Sequence, residues 1–216
     1  MAKIAASVLD ADFSKWKTWL PELEKAEVDR IQWDVMDNKY VPNAGVDRQK
    51  IAQLRPHTKL FFETHHMVKK PEAQVEEFAK LGSNMFIFHI ETTKKPLQLI
   101  EQIEDFGMKV GIAINNGTPS KKIFSYLDKI DLALVMTVQA GFGGQKFIEK
   151  NLDEVRALRT KIDSQGLLCE IEIDGGVNAQ TASKAIEAGT DVLVAGSAIF
   201  RHPKGILAAI KELQSP

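Results

Sequence analysis

Cys169 is the chain's only cysteine, so no disulfide can form within it, and a reducing, cytoplasmic location is expected. No apolar run approaches the ~20 residues of a spanning helix. Asp10 and Asp12 interrupt the first apolar stretch, so no signal peptide is expected. Charge of one sign is lacking as well. Lys and Arg number 28 against 29 Asp and Glu, a formal net charge of -1. That balance gives no support to bulk binding of nucleic acid or anionic membrane. Low-complexity segments and linkers are absent. What remains is a chain of 216 residues, 44% of them hydrophobic, enough for a single globular domain over residues 1–216 with a sizeable core.

Short apolar runs alternate with longer amphipathic segments. Strands are predicted at 3–8, 30–34, 59–65, 84–89, 109–114, 131–137, 169–173 and 191–194. Helices are predicted near 12–26, 47–54, 71–81, 96–106, 118–127, 151–164, 179–188, 197–200 and 203–213. Eight βα repeats in this length favour a closed (β/α)8 TIM barrel over an open doubly wound sheet. The active site of such a barrel lies at the C-terminal strand ends, where Ser7, Asp34, His65, His89, Asn115, Asp174 and Gly196 fall.

Strand periodicity puts Gln32 and Asp34 on one face of the second strand, with Ile31, Trp33 and Val35 on the other. An inward carboxylate needs a partner or a metal. Asp174 ends the seventh strand in the same way, on the opposing side of the barrel, so the two carboxylates could face two sides of a substrate. That suits removal of a proton from one face of a carbon and return to the other. A bland reading, aspartates capping loops, is disfavoured by the inward parity. His65 shares the inward face and is a candidate ligand, while His66 faces the outer layer and is structural. His89 and Glu91 are either partners of this group or ordinary loop polar residues. Met36, Met67 and Met136 are core filler or an apolar cover over a reactive intermediate.

Glycines cluster after the last three strands: Gly141-Phe142-Gly143-Gly144-Gln145, Gly175-Gly176, and Gly196-Ser197 opening a short helix. Glycines let backbone N–H groups approach an anion, and barrels often hold phosphate at these loops. Three such loops favour a phosphate-binding barrel over simple tight turns.

These residues resemble the ribulose-phosphate 3-epimerase family. The resemblance runs from Ala6-Ser7-Val8-Leu9 through Asp34-Val35-Met36-Asp37, Tyr40-Val41-Pro42-Asn43, His65-His66-Met67, His89-Ile90-Glu91 and Met136-Thr137-Val138. It continues through the Gly141–Gln145 loop to Asp174-Gly175-Gly176-Val177 and Gly196–Phe200. It implies interconversion of D-ribulose 5-phosphate and D-xylulose 5-phosphate by metal-assisted proton transfer at C3, with Asp34 and Asp174 the acid/base pair. It implies a divalent ion (zinc, iron, manganese or magnesium) on Asp34, His65 and Asp174. It also implies substrate contacts from Ser7, His65, Met36, Met67, Met136, Gly141, Phe142, Gly143, Gly144, Gly175, Gly176, Gly196 and Ser197. A homo-oligomer is expected. Gln32 stands where the family carries a ligating His and would be a poorer fourth ligand. Asn38 stands where Gly is usual, Ala6 where Pro is common, and Gln139-Ala140 also depart from the pattern. The alternatives are an epimerase of a six-carbon ketose phosphate such as allulose 6-phosphate, or a metal-poor barrel that only binds sugar phosphate. A phosphate-binding decarboxylase is disfavoured because Met36 occupies the position of its motif lysine.

Overall fold

The computed structural model describes residues 2–214. Eight parallel strands close in sequence order: β1 (Lys3–Ser7), β2 (Arg30–Met36), β3 (Phe61–Met67), β4 (Met85–His89), β5 (Lys109–Ile114), β6 (Leu132–Met136), β7 (Glu170–Asp174) and β8 (Val192–Ala195), with β8 pairing back onto β1. The outer layer holds α1 (Trp16–Lys25), α2 (Arg48–Leu54), α3 (Val75–Lys80), α4 (Pro96–Asp105), α5 (Leu152–Gln165), α6 (Ala179–Ala188), α7 (Ser197–Phe200) and α8 (Ile206–Gln214). Among the described residues no helix is long and apolar enough to cross a membrane.

The core divides as strand periodicity requires. Ile31, Trp33 and Val35 of β2 join the cluster between sheet and helices, with Phe62, Phe86 and Ile171. Ala5, Met85, Ile87, Leu132, Leu134, Val192 and Val194 fill the barrel itself. His66 lies in the outer cluster's layer. It stacks on Phe86 and hydrogen-bonds Gln74 and Thr64, and burial pushes it down to about 3, so it is a neutral structural residue.

Several boundaries differ from the sequence reading. β2 and β3 run on to Met36 and Met67. Asp34 and His65 are therefore held inside rigid strands rather than at their ends. The expected helix over 118–127 is two one-turn 3₁₀ segments, Ser120–Lys122 and Phe124–Tyr126. Ile, Phe, Ser and Tyr are weak helix formers, and the segment is anchored instead by Glu154 of α5, which accepts from the Ser120 N–H at 2.7 Å. The first and third helices begin with 3₁₀ turns, and the last starts at Ile206 rather than 203. Asn38 has φ 53°, a left-handed conformation that Asn tolerates better than other non-glycine residues, so it serves at a position where Gly is usual.

An ionic group occupies the lower end of the barrel. Arg30, 6% exposed, faces Glu63 at 3.1 Å and Glu172 at 3.5 Å and also pairs with Glu170. Glu63 and Glu172 are fully buried. Burial, only partly offset by Arg30, pushes Glu63 up to about 7 and Glu172 well above the ordinary carboxylate range. One guanidinium thus serves two interior carboxyl groups, of which Glu172 is carried neutral. Arg30→Met should therefore destabilise the protein by about 3–5 kcal/mol, because it strands a buried charge. Glu172→Gln should be nearly neutral at pH 7. Because both folded values are raised from 4.5, wild-type stability should fall as pH rises above that value, the Glu63 part levelling off near 7 and the Glu172 part continuing beyond it, so the fall is smaller in Glu172→Gln. Urea denaturation of the three proteins across that range checks this; equal losses in both variants would contradict it.

Candidate active site

The upper end of the barrel gathers the inward residues of β2, β3 and β7. Their register explains it: Asp34 pairs with His65 across β2 and β3, and Asp174 ends β7. β7 and β2 are three strands apart around the closed barrel. The carboxylates expected to face two sides of a substrate reach toward the barrel axis from these strands. They converge: ligand atoms of Asp34, His65 and Asp174 all lie within 4.8 Å of one another.

Two donors hold this pair of carboxylates together. Gln32 Nε2 donates to Asp34 Oδ1 and to Asp174 Oδ2, each at 3.0 Å. His65 Nδ1 faces the same two oxygens, each at 3.3 Å. Ser7 Oγ donates to the other oxygen of Asp34 at 2.7 Å. Asp34 thus accepts from three side chains, while Asp174 is the more open of the two, its side chain 16% exposed. Burial and the neighbouring Asp34 raise Asp174, with His65 and Gln32 opposing. Burial opposes a charge on His65, yet Asp174 and Asp34 lift it to about 9.

Behind His65 lies a relay that the sequence left open. His65 Nε2 meets His89 Nε2 at 2.9 Å, and His89 Nδ1 lies 3.2 Å from Tyr40 Oη and 3.3 Å from Glu91. Burial and the adjacent His65 push His89 down to about 4. A neutral His89 therefore accepts at Nε2 and donates at Nδ1, which fixes the His65 ring with Nδ1 toward the carboxylates. Tyr40 had appeared only within a motif. Its place is set by Asp37, whose carboxylate accepts from the backbone N–H groups of Lys39, Tyr40 and Lys69.

Above the carboxylates is an open cavity. Of the residues named from the sequence, Ser7, Met36, Met67, Met136, Gly141, Phe142, Gly143, Gly144, Asp174, Gly175, Gly176, Gly196 and Ser197 line it, with Asp34 at its floor. His65 is fully buried, with Nδ1 against both carboxylates, and is not among the residues lining this cavity. Gln145 of the first glycine loop also lines the cavity, as do Leu9, Asp10, Val138, Val177 and Val194, which were not anticipated as site residues. The glycines are structurally required at the β7 end. Gly175 has φ 117° and a Cβ there would meet Val138 at 2.3 Å; Gly176 has φ 68° and a Cβ would meet Phe147 N at 2.7 Å.

Two carboxylate oxygens and one imidazole nitrogen suit a divalent ion. Gln32 presents its amide nitrogen to that position, and its Oε1 is buried without a hydrogen-bond partner. A half-turn of the amide would present the orphaned oxygen instead, an arrangement favoured only with a cation between the carboxylates. The donor set therefore fits an ion, with Gln32 as the variable member.

Comparison with known proteins agrees with this geometry. Residues 3–200 match the ribulose-phosphate 3 epimerase family. A ribulose-phosphate 3-epimerase, cytoplasmic isoform, of Oryza sativa is 38% identical over 217 residues, covering 98% of this chain and 93% of the relative. A ribulose-phosphate 3-epimerase of Bacillus subtilis is 39% identical over 203 residues, covering 93% of each. Among solved structures, a KGPDC from Streptococcus mutans superposes with TM-score 0.72 at 15% identity, covering 99% of this chain and 98% of that one. A 3-hexulose-6-phosphate synthase does so with TM-score 0.70 at 15% identity, covering 100% and 99%. These last two support the barrel fold alone. With strand order, inward carboxylates and glycine loops all in agreement, the chain belongs to the ribulose-phosphate 3-epimerase family.

Proposed function

We propose that this protein is an isomerase that interconverts D-ribulose 5-phosphate and D-xylulose 5-phosphate by moving a proton at C3. The observation that carries the reading is the pair Asp34 and Asp174, brought together at the floor of a cavity whose far end is built from glycine loops. The proton on C3 is next to a carbonyl, so its removal leaves an enediolate. Asp34, accepting from Ser7, Gln32 and His65, is bonded as a carboxylate and serves as base toward one face of C3. Asp174, raised by burial and by Asp34, carries the proton delivered to the other face. In the reverse direction the roles exchange. Met36, Met67 and Met136 give the cavity an apolar wall that keeps water from the intermediate. A divalent ion held by Asp34, His65 and Asp174 would supply Lewis-acid stabilisation of charge developing on the substrate oxygens.

The phosphate is assigned to backbone N–H groups of Gly143, Gly144, Gly176, Gly196 and Ser197. No Lys or Arg lies within these three loops. A Cβ on Gly196 would lie 3.3 Å from the Ser7 carbonyl and so has little room.

Four outcomes test this reading. Asp34→Asn and Asp174→Asn should each lose at least roughly 10²–10⁴-fold in turnover of ribulose 5-phosphate while keeping their far-ultraviolet spectrum and melting transition. Near-normal turnover in either folded variant would sink the two-carboxylate mechanism. Gly196→Val should raise KM more than it lowers kcat, since it crowds the phosphate and not the reacting carbon; a pure kcat effect would argue against the assignment. The ion should compete with the proton on His65. Below the raised value of about 9, affinity for added metal should climb roughly tenfold per pH unit, levelling above it. Gln32→His should bind zinc roughly tenfold or more tightly than wild type, which should favour harder ions such as manganese or magnesium. Competition with a chromophoric chelator reads both; wild type holding zinc as tightly as Gln32→His would remove Gln32 from the account.

A further inference from the structure

One carboxylate in the cavity has no part in the proton transfer. Asp10 ends the 3₁₀ turn Val8–Asp10 after β1 and lines the cavity beside Gly143, Gly196 and Ser197. Its Oδ2 lies 3.0 Å from where a Cβ on Gly143 would stand and 3.7 Å from that of Gly196. That oxygen therefore sits between two of the glycines assigned to the phosphate. Its Oδ1 accepts from Arg201 Nη2 at 2.8 Å. The pairing is lopsided: the Asp10 side chain is 18% exposed and that of Arg201 68%. The guanidinium is in solvent, where its charge is screened, and the carboxylate is turned inward.

A negative oxygen beside a cradle of N–H donors changes what the cradle accepts. Backbone N–H groups serve any tetrahedral anion. Oδ2 does not. A fully deprotonated anion meets it as like charge with no hydrogen to share. A singly protonated phosphate offers an O–H, and a carboxylate accepting O–H is among the stronger hydrogen bonds.

We propose that Asp10, held by Arg201, is a specificity-determining residue at the phosphate end: it accepts the O–H of a monoanionic phosphate group and disfavours fully ionised tetrahedral anions. This rests on the placement of the phosphate at the glycine loops. The test compares inorganic phosphate with sulfate by titration calorimetry at about pH 6, near the second ionisation of a phosphate ester. There phosphate still carries a proton and sulfate carries none. Wild type should bind phosphate roughly tenfold more tightly than sulfate. Asp10→Asn and Asp10→Ser should bring the two anions to near parity, chiefly by improving sulfate. Arg201→Gln should widen the gap, because it leaves the carboxylate uncompensated; mere loss of a nearby cation would weaken both anions alike. If both anions bind but the ratio is the same in wild type and both Asp10 variants, the cradle stands and the role of Asp10 is overturned. If neither anion binds wild type or any folded variant, the phosphate placement falls, and the proposal with it.

Discussion

The repulsion between two carboxylates held within a few ångströms at the end of an apolar barrel is the constraint on which this site depends. Asp34 and Asp174 come from strands whose positions are fixed by the closed sheet, so neither can retreat. Something positive or hydrogen-donating must lie between them. Gln32 and His65 do so from below, both aimed at the same two oxygens. A proton on Asp174, a proton on His65 and a divalent ion are three ways of meeting one electrostatic demand. Proton transfer to and from a substrate uses that demand, because a site that must hold extra positive charge stabilises an enediolate as the carbon acid gives up its proton.

The rest of the barrel keeps this group in place. His89 fixes the His65 ring, Tyr40 and Glu91 fix His89, and Asp37 fixes the turn that carries Tyr40. Each link is a hydrogen bond between buried or half-buried groups, so the geometry is set before any ligand arrives. Below, the Arg30 group shows the same economy, one cation shared by several carboxyl groups. The barrel interior is thus polar at both ends and apolar in the intervening layers of Ile87, Leu132, Leu134 and Val192.

What was legible in the sequence was whatever depends on strand parity. Gln32, Asp34, His65 and Asp174 were placed inward from alternation alone, His66 outward, and the glycine loops were placed at the C-terminal ends. What was not legible depends on how loops meet. Asp10 follows β1 in an ordinary-looking stretch and becomes notable only where Gly143 and Gly196 close on it. Tyr40 matters because its loop folds over β4, a contact 49 residues away in sequence. The convergence of Asp34 and Asp174 follows from side-chain reach toward the barrel axis, which strand order alone does not convey. The segment after β5 forms 3₁₀ turns rather than the expected helix, its weak helix formers leaving it to be held to α5 through Glu154.

In the proposed mechanism two different carboxylates serve the two faces of C3. Conversion of ribulose 5-phosphate in D₂O, followed by proton and carbon NMR, tests it most directly. Xylulose 5-phosphate should form with solvent deuterium at C3 from the first turnover, because the proton delivered by Asp174 is not the one taken by Asp34. Product that retains the original C3 hydrogen would mean that one group removes and returns the same proton, and would contradict the account.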